Sequence, residues 1–473
     1  EVILDGQNNI YIASSTLSED FPTSGNAYDR NNNGGQDAVL FSLTPDCSTL
    51  RFSTYVGGGN ADAGYSLKRR SDGGLYIVGG AASPNFPTTA GAIRPTKPTN
   101  QNDIDGFVAL FNSNASALLS STYIGTGGYD QVYLCALSFD DEIYITGQST
   151  RGFTVSPGVY SNPNSGQFIQ RLAPDLSSVE LSTVFGTGSG NVDISPTAFM
   201  IDTCKRIFYS GWGGSSNNRR GALQNSTTRG LSVTADAFQQ TTDGSDFYFM
   251  VLEADFEELI YGSFFGRQGV LDLVNDHVDG GTSRFDDKGI IYQAVCAGCT
   301  GFDDFPTTPR AWSRRNGTAE KCNLAVIKFD FQLSRLEARV DLELDTFGCA
   351  PYEAQFINNS IGADEYFWDF GDGDTSTAFA PINTYDSIGT YDVFFFFCSN
   401  NSCLEPDTLE LTIETILAEP PNSDTLLVCG EPFVDLTSTR EGKNPQYQWN
   451  TGADTRTFRA FSSGTYAVTA TES

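Results

Sequence analysis

The chain has 473 residues, of which 39% are hydrophobic, and its formal net charge is −30. So acidic a surface repels phosphate backbones, which excludes nucleic acid as a partner, and no apolar run reaches the roughly 18 residues of a membrane-spanning helix, which excludes direct membrane insertion. Glycine (48 residues), phenylalanine (35) and tyrosine (20) are abundant, and this composition favours short strands and tight turns over long helices.

Short β-type segments, separated by turn residues, fill residues 1–343 and recur in groups of four. The groups are 1–5, 9–14, 37–43 and 50–58; 64–70, 75–80, 105–111 and 118–126; 132–139, 142–147, 167–172 and 179–187; 196–202, 206–211, 246–252 and 259–266; and 280–286, 290–295, 324–330 and 335–343. Four antiparallel strands repeated in tandem are typical of propeller blades. We therefore predict a β-propeller of at least five four-stranded blades, with the first segment of each group innermost.

The tripeptide Phe-Pro-Thr occurs at 21–23, 86–88 and 305–307, each time between the second and third segments of a group. Proline fixes φ and ends a strand, and phenylalanine can pack on the sheet surface. We interpret the motif as a repeated packing contact; a ring of ligand contacts is the alternative.

Together with "DAVLFSL", "LRFSTYVGGG" and their copies, this motif resembles the SBBP-type β-propeller repeats of bacterial surface proteins. The resemblance covers about residues 1–343 and is clearest in groups one, two and five. Residues 276–299 look like a segment of the long surface proteins of gliding, type IX-secreting Bacteroidota. The resemblance implies secretion across the outer membrane to the cell surface. Six or seven blades are commoner in the family, so we expect further blades upstream, in a longer polypeptide.

Residues 366–397 resemble a PKD domain, which is an immunoglobulin-like β-sandwich. The match rests on Trp368-Asp369-Phe370-Gly371-Asp372-Gly373 followed by Gly389-Thr390-Tyr391. Trp368 and Phe370 should alternate into a core, and the two glycines should form a tight turn. The run Phe394–Phe397 puts phenylalanine on both faces of a strand; we favour burial of both faces by a neighbouring domain over an exposed contact patch.

Residues 426–473 look like a further immunoglobulin-like module, with Trp449 on a central strand and Tyr466 on a late one. The predicted fold class is thus all-β, a propeller followed by two immunoglobulin-like sandwiches. The predicted domains are 1–343 (propeller), 344–416 (PKD) and 417–473 (immunoglobulin-like, which we expect to be incomplete because Cys429 has no later cysteine in this sequence).

Catalytic motifs are missing from the sequence: it contains no HExxH, no P-loop, no GxSxG and no sialidase Asp-box. The single histidine, His277, lies between Asp276 and Asp279, and we favour a structural turn histidine over a catalytic one. We predict that the protein is not an enzyme. A secreted hydrolase is the less favoured alternative, because nothing in the sequence marks a glycosidase carboxylate pair.

Ten cysteines, most of them in the last 180 residues, indicate an oxidising compartment with a few disulfides. Cys296 and Cys299 have the spacing of a redox or zinc motif, but zinc would need Cys322 and His277 as further ligands. We favour a structural disulfide, Cys299–Cys322, with Cys296 as the alternative partner. In the PKD domain we expect Cys349–Cys403, with Cys398 as the alternative.

The segment 29–37 partly matches a calcium loop, with Asp29, Asn31, Asn33 and Asp37 as candidate oxygen ligands. The terminal bidentate glutamate is missing, so we favour a solvated turn. No cofactor is expected, with calcium as the one alternative. Three Asp-Ser/Thr-apolar triplets resemble the O-glycosylation acceptors of Bacteroidota, and their acceptor residues are Ser387, Thr408 and Thr425.

These features favour an extracellular cell-surface protein with a structural or adhesive role, in which a propeller head is carried on a β-sandwich stalk. We expect its partners to be other cell-surface proteins, copies of itself or glycans. A carbohydrate-binding propeller is the alternative from a different functional class.

Overall fold

A computed structural model describes residues 1–97, 103–215, 217, 225–267, 276–278, 283–299, 303–318, 321–331, 333, 340–342, 346–360, 365–398, 407–417, 432–439 and 445–472. The regular secondary structure of the described residues is almost entirely β-strand, with a short 3-10 turn at Ala254–Phe256. Among them, no helix is long and apolar enough to cross a membrane.

Nineteen strands form five antiparallel sheets, which we number 1 to 5 in chain order. Sheet 1 contains β1 (Val2–Leu4), β2 (Ile10–Thr16), β3 (Asp37–Leu43) and β4 (Leu50–Val56); sheet 2 contains β5 (Asp62–Arg69), β6 (Leu75–Ala81), β7 (Asp105–Phe111) and β8 (Leu118–Ile124). Sheet 3 contains β9 (Asp130–Leu137), β10 (Ile143–Ser149), β11 (Gln167–Leu172) and β12 (Val179–Phe185). Sheet 4 contains β13 (Ser195–Ile201), β14 (Ile207–Trp212), β15 (Phe247–Leu252) and β16 (Leu259–Phe265); sheet 5 contains β17 (Arg284–Phe285), β18 (Ile291–Ala297) and β19 (Asn323–Phe329).

Consecutive sheets pack face to face through their apolar side chains. Four hydrophobic clusters join sheet 1 to sheet 2, sheet 2 to sheet 3, sheet 3 to sheet 4 and sheet 4 to sheet 5. The middle strands are therefore apolar on both faces; every residue of β7 and of β15 is buried. The first strands also lie side by side, β5 against β9 and β9 against β13. This is a propeller-like arrangement, and the innermost position of the first segments stays a prediction.

The Phe-Pro-Thr loops pack as predicted. Phe86 is buried 4.3 Å from the Phe107 ring, and its backbone N–H donates to the Tyr123 hydroxyl at 2.9 Å. The Tyr123 hydroxyl in turn donates to the Ser83 carbonyl at 2.6 Å. In sheet 1 the backbone N–H of Phe21 makes the same bond to Tyr55. The loop is thus fastened to the fourth strand of its own sheet.

The expected fourth strand of sheet 5, 335–343, lies largely outside the described residues. Its described part, β20 (Val340–Leu342), pairs with β22 (Tyr352–Asn358) of the following module. The predicted first strand, 280–286, is described only from residue 283, and β17 within it covers two residues. Among the described residues, sheet 5 therefore has three strands where sheets 1 to 4 have four.

The PKD-like segment continues with β21 (Phe347–Ala350), β23 (Glu365–Asp369), β24 (Thr375–Ser376), β25 (Ile382–Tyr385), β26 (Gly389–Cys398) and β27 (Asp407–Leu417). β23 pairs antiparallel with β24 and with β26. As predicted, Trp368 and Phe370 are buried, and Gly371 and Gly373 have positive φ, which a tight turn requires. β21 pairs parallel with β27.

The phenylalanine run of β26 was predicted to be buried on both faces, and this expectation is wrong. Phe395 and Phe397 are buried, and the Phe395 ring stacks on Trp368 with centroids 4.0 Å apart. Phe394 and Phe396 are 38% and 41% exposed, beside the exposed Phe367. Alternate residues of a strand point to opposite faces, and only one face of this strand lies on the core.

The last described strands are β28 (Val434–Thr437), β29 (Pro445–Trp449), β30 (Thr457–Ala460) and β31 (Val468–Glu472). β28 pairs with β30, and β29 pairs with β31. Trp449 is buried, and its indole N–H donates to the Thr455 carbonyl.

The chain divides into two compact units. One contains residues 1–343, 355–381 and 392–411, and the other contains residues 344–354, 382–391 and 412–473. The three-domain division made from the sequence stays a prediction.

Candidate functional site

Sheet 5 exposes an apolar surface on the side that faces away from sheet 4. In β18 and β19 alternate residues are buried and solvent-accessible, whereas the middle strands of sheet 2 are buried throughout. Leu324 is 77% exposed and Val326 is 74% exposed. Their cross-strand partners are Cys296 and Ala294, and beside them Tyr292 pairs with Lys328. We call this surface, made by Tyr292, Ala294, Cys296, Leu324, Val326 and Lys328, the open face.

In the other sheets, the residue at the strand position of Val326 shows what covers the corresponding face. Leu40, Val108 and Phe249 occupy the position of Val326 in the third strands of sheets 1, 2 and 4. All three are fully buried in the cluster that joins their sheet to the next one. For Phe249 the contact is direct, because its ring lies 4.8 Å from Phe329 of sheet 5. Val326 is exposed because, among the described residues, no other sheet covers this face of sheet 5.

The long loops of the repeats differ in the same way between sheet 5 and the sheets that have a following sheet. After the Phe-Pro-Thr motif or its equivalent, one large side chain reaches the next sheet. Tyr28 packs 5.5 Å from Phe111 of sheet 2, and Phe238 packs 5.8 Å from Phe329 of sheet 5. Trp312 has this position in the loop of sheet 5, and it is fully exposed. The repeat that contains sheet 5 thus exposes three large apolar side chains to solvent: Trp312, Leu324 and Val326.

A cysteine and histidine cluster lies at one end of the open face. The expected Cys299–Cys322 disulfide is present. His277 and Cys296 are direct antiparallel partners, with each backbone N–H donating to the other's carbonyl at 3.1 and 2.8 Å. One ligand atom from each of His277, Cys296 and Cys322 lies within 4.8 Å of the other two. The structure therefore brings together all four side chains that the sequence offered as zinc ligands.

The predicted calcium loop forms a hydrogen-bonded turn. The Asn33 side-chain amide donates to Asp29 Oδ2 at 2.6 Å, and the Asn33 backbone N–H donates to Asp37 Oδ2 at 2.7 Å. Asn31 bonds to Asp29 through its backbone N–H, not through its side chain. Three of the four predicted ligands, Asp29, Asn33 and Asp37, thus converge. Calcium binding at this turn stays untested.

Buried carboxyl groups, which were not among the predicted site residues, mark the junctions between consecutive sheets. Asp37 begins β3 and Asp62 begins β5, and both are almost fully buried. Burial, with smaller contributions from the neighbouring Asp62 and Asp29 carboxylates, raises the pKa of Asp37 to about 6. At the junction of sheets 4 and 5, burial and the nearby Asp243 and Asp276 raise the pKa of Asp246 to about 7. In the sequence, these buried carboxyl groups could have been recognised from the aspartate that recurs before an apolar strand.

The remaining predicted sites fall in the two C-terminal modules. Ser387 is exposed in the turn before β26, and Thr408 is exposed on β27. Thr425 and Cys403 lie outside the described residues. Cys349 lies on β21 and Cys398 ends β26. The pairing of Cys349 with Cys403 or Cys398, and glycosylation at the three acceptors, stay predictions.

Two cavities in the described residues are small. One of about 150 Å³ lies between sheets 2 and 3, where Arg94, Tyr123, Phe153 and Gln170 contribute to its wall. The other, of about 90 Å³, lies beside sheet 5 near Asp303, Phe305 and Arg314. Pockets that enclose a small organic ligand usually measure about 300–1,000 Å³. The open face is therefore a better candidate interaction site than either cavity.

No protein-family model and no curated protein matches the chain. Solved structures that resemble parts of it include the PKD1 domain of the Vibrio cholerae metalloprotease PrtV, at 28% identity over 17% of this chain and 96% of that chain, with a TM-score of 0.15.

Two further solved structures resemble larger parts of the chain. A GH43 β-xylosidase/α-arabinofuranosidase from a compost metagenome is 14% identical over 69% of this chain and 89% of its own, with a TM-score of 0.30. The extracellular domain of a hybrid two-component system of B. thetaiotaomicron is 9% identical over 88% of this chain and 49% of its own, with a TM-score of 0.25. TM-scores below 0.5 are too low to transfer a function from these proteins.

Proposed function

We propose that this chain belongs to an extracellular, non-catalytic surface protein that works as a scaffold through protein–protein contacts. In this proposal residues 1–343 form a propeller of at least five blades, carried by a PKD domain and an immunoglobulin-like module. Secretion across the outer membrane, the SBBP-type repeat and a role beside gliding motility are parts of the same proposal. The Cys299–Cys322 disulfide supports the extracellular location, because such bonds persist in oxidising compartments.

The observation that carries the proposal is the open face with Trp312. Single exposed apolar residues are ordinary on a protein surface, whereas a contiguous exposed patch marks an interaction site. Here Leu324 and Val326 occupy positions whose counterparts in other repeats are buried against a following sheet, and the counterparts of Trp312, Tyr28 and Phe238, contact the next sheet with their rings. Aromatic side chains such as that of Trp312 are also enriched at protein interfaces.

We propose a second copy of this chain as the partner. Within the chain, sheets 2 to 5 each cover such a face of the preceding sheet, so the fitting partner surface is another sheet of the same repeat. A second copy supplies sheets of this kind. Lys328, 5.5 Å above the Tyr292 ring, is the one charged side chain of the open face, so an apolar partner surface fits it.

Sedimentation velocity over a concentration series tests the proposal. We expect the chain to self-associate and the double variant Leu324→Ser/Val326→Ser to stay monomeric. Leu17→Ser is the matched control, because Leu17 is as exposed but lies directly after β2 of sheet 1, outside the open face. Quenching of Trp312 fluorescence by acrylamide should decrease as the wild-type concentration rises. A wild-type chain that is monomeric at every concentration would overturn the self-association proposal.

A further inference from the structure

We propose that His277, Cys296, Cys299 and Cys322 bind one zinc ion when the Cys299–Cys322 disulfide is reduced. The site lies in sheet 5 and does not depend on the proposed self-association. Its four donors come from three separate parts of the chain: the bridge residue His277, the end of β18 with the turn after it, and the residue before β19.

The donor set matches structural zinc sites. Zinc in such sites is tetrahedral, and three cysteines with one histidine are a common ligand set, often including a Cys-x-x-Cys pair. With zinc–sulfur bonds of about 2.3 Å, the edges of the tetrahedron are about 3.8 Å long. The donor atoms of His277, Cys296 and Cys322 lie within 4.8 Å of one another, and Cys299 Sγ lies 4.0 Å from His277 Nδ1. Once the disulfide is reduced, the Cys299 and Cys322 sulfurs are free to separate to this spacing by side-chain rotation.

The backbone around the donors is held in place without a metal. The paired hydrogen bonds between His277 and Cys296 put both side chains on the same face of the sheet. The buried Asp276 carboxylate accepts from the Gly298 backbone N–H at 3.0 Å, which holds the turn between Cys296 and Cys299.

Asn316 connects the two remaining donor segments. Its side-chain amide donates to the Gly298 carbonyl at 2.5 Å and to the Lys321 carbonyl at 2.7 Å. Gly298 precedes Cys299 and Lys321 precedes Cys322. The Asn316 amide thus keeps both cysteines close together whether or not their sulfurs are bonded to each other. Partners of this kind orient metal ligands in zinc proteins.

The oxidised and metal-bound states exclude each other. A dithiol reductant transfers two electrons and two protons to the Cys299–Cys322 disulfide, which becomes two thiols while the reductant forms its own disulfide. Zinc then binds the three thiolates and the neutral His277 ring, and the three thiol protons are released to solvent. In the oxidised chain two of the four donors are not available to zinc.

Cobalt titration tests this site. The chain is reduced with a dithiol under anaerobic conditions, separated from the reductant, and titrated with Co²⁺. We expect one Co²⁺ per chain, with the strong visible absorption of tetrahedral cobalt–thiolate coordination, and stoichiometric displacement by Zn²⁺. The oxidised chain should show no such band. A reduced wild-type chain that binds no Co²⁺ overturns the proposal, whether or not it stays folded.

Variants assign the ligands. Cys296→Ser leaves the disulfide intact, so its fold can be checked by circular dichroism before reduction. We expect Cys296→Ser and His277→Ala to weaken metal binding by more than the roughly tenfold that loss of an outer-shell partner costs, and Asn316→Ala to weaken it by about tenfold. Cys47→Ser, at an exposed cysteine in the turn between β3 and β4, is the control and should bind as the wild type does. Unchanged binding by Cys296→Ser would show that the cluster is not the site.

Discussion

Tyr65 of β5 and Tyr133 of β9 stack with ring centroids 5.4 Å apart. Both stand at a β-bulge in the first strand of their sheets, between Gly64 and Ser66 in sheet 2 and between Val132 and Leu134 in sheet 3. A bulge inserts one unpaired residue and re-aims its side chain. The repeated bulge therefore brings two tyrosines together between the first strands of neighbouring sheets.

Glycine in the second strand makes room for the bulge. A Cβ at Gly147 would lie 1.9 Å from the Gln131 carbonyl oxygen, which is backbone and cannot move aside alone. We expect Gly147→Ala to lower the free energy of unfolding by about 2 kcal/mol or more, measured by urea denaturation. Gly25→Ala, where a Cβ meets nothing within 4 Å, is the control. Equal stability of the two variants would contradict this account of the bulge.

Asp246 should make stability depend on pH. Its carboxyl has a pKa near 4 in the unfolded chain and about 7 in the folded protein, where burial and the nearby Asp243 and Asp276 disfavour the charge. The folded state therefore holds the proton more tightly, and this stabilisation is full below pH 4 and lost as pH rises through 7.

Asp246→Asn removes this titration. We expect the variant to be more stable than the wild type at pH 8, by on the order of 4 kcal/mol because each of the three pKa units is worth about 1.4 kcal/mol, and to differ little at pH 4, as measured by thermal unfolding at both pH values. Asp236→Asn, at an exposed carboxylate in a loop of the same sheet, is the control. A variant that is less stable than the wild type at pH 8 would mean that the Asp246 charge stabilises the fold.

The Cys299–Cys322 disulfide should stabilise sheet 5. It closes a loop across a sequence separation of 23 residues. Replacing both cysteines by serine should cost about 3 kcal/mol, mainly through the larger conformational entropy of the unfolded chain. The comparison is made by thermal unfolding with a metal chelator present, and Cys47→Ser is the control. A double variant that melts at the wild-type temperature would refute a structural role for the bond.

Trp368 should be essential to the PKD-like module. Its ring is fully buried between Phe356 and Phe395, with centroids 5.1 and 4.0 Å away, and its indole N–H donates to the Ala378 carbonyl. We expect Trp368→Ala to cost about 3–5 kcal/mol, seen as a lower midpoint in denaturant. Trp312→Ala removes the same side chain from an exposed loop and should leave the midpoint of a dilute sample unchanged.

The local pattern of the sequence predicted where strands form. The predicted segments 37–43, 105–111 and 167–172 coincide with β3, β7 and β11, because turn residues and apolar runs mark strand ends within a few residues of chain. The PKD core at Trp368 and the Cys299–Cys322 pair were also predictable, since each depends on a motif or spacing within one module.

Tertiary structure alone decided which faces are covered and which side chains meet. Val326 and Val108 are the same residue at the same position of a strand, yet one is exposed and the other fully buried, because only a neighbouring sheet can remove a face from water. His277 and Cys296 are 19 positions apart in the sequence, and strand pairing makes them direct partners. Burial and long-range pairing depend on the whole arrangement of sheets, which no local pattern of residues encodes.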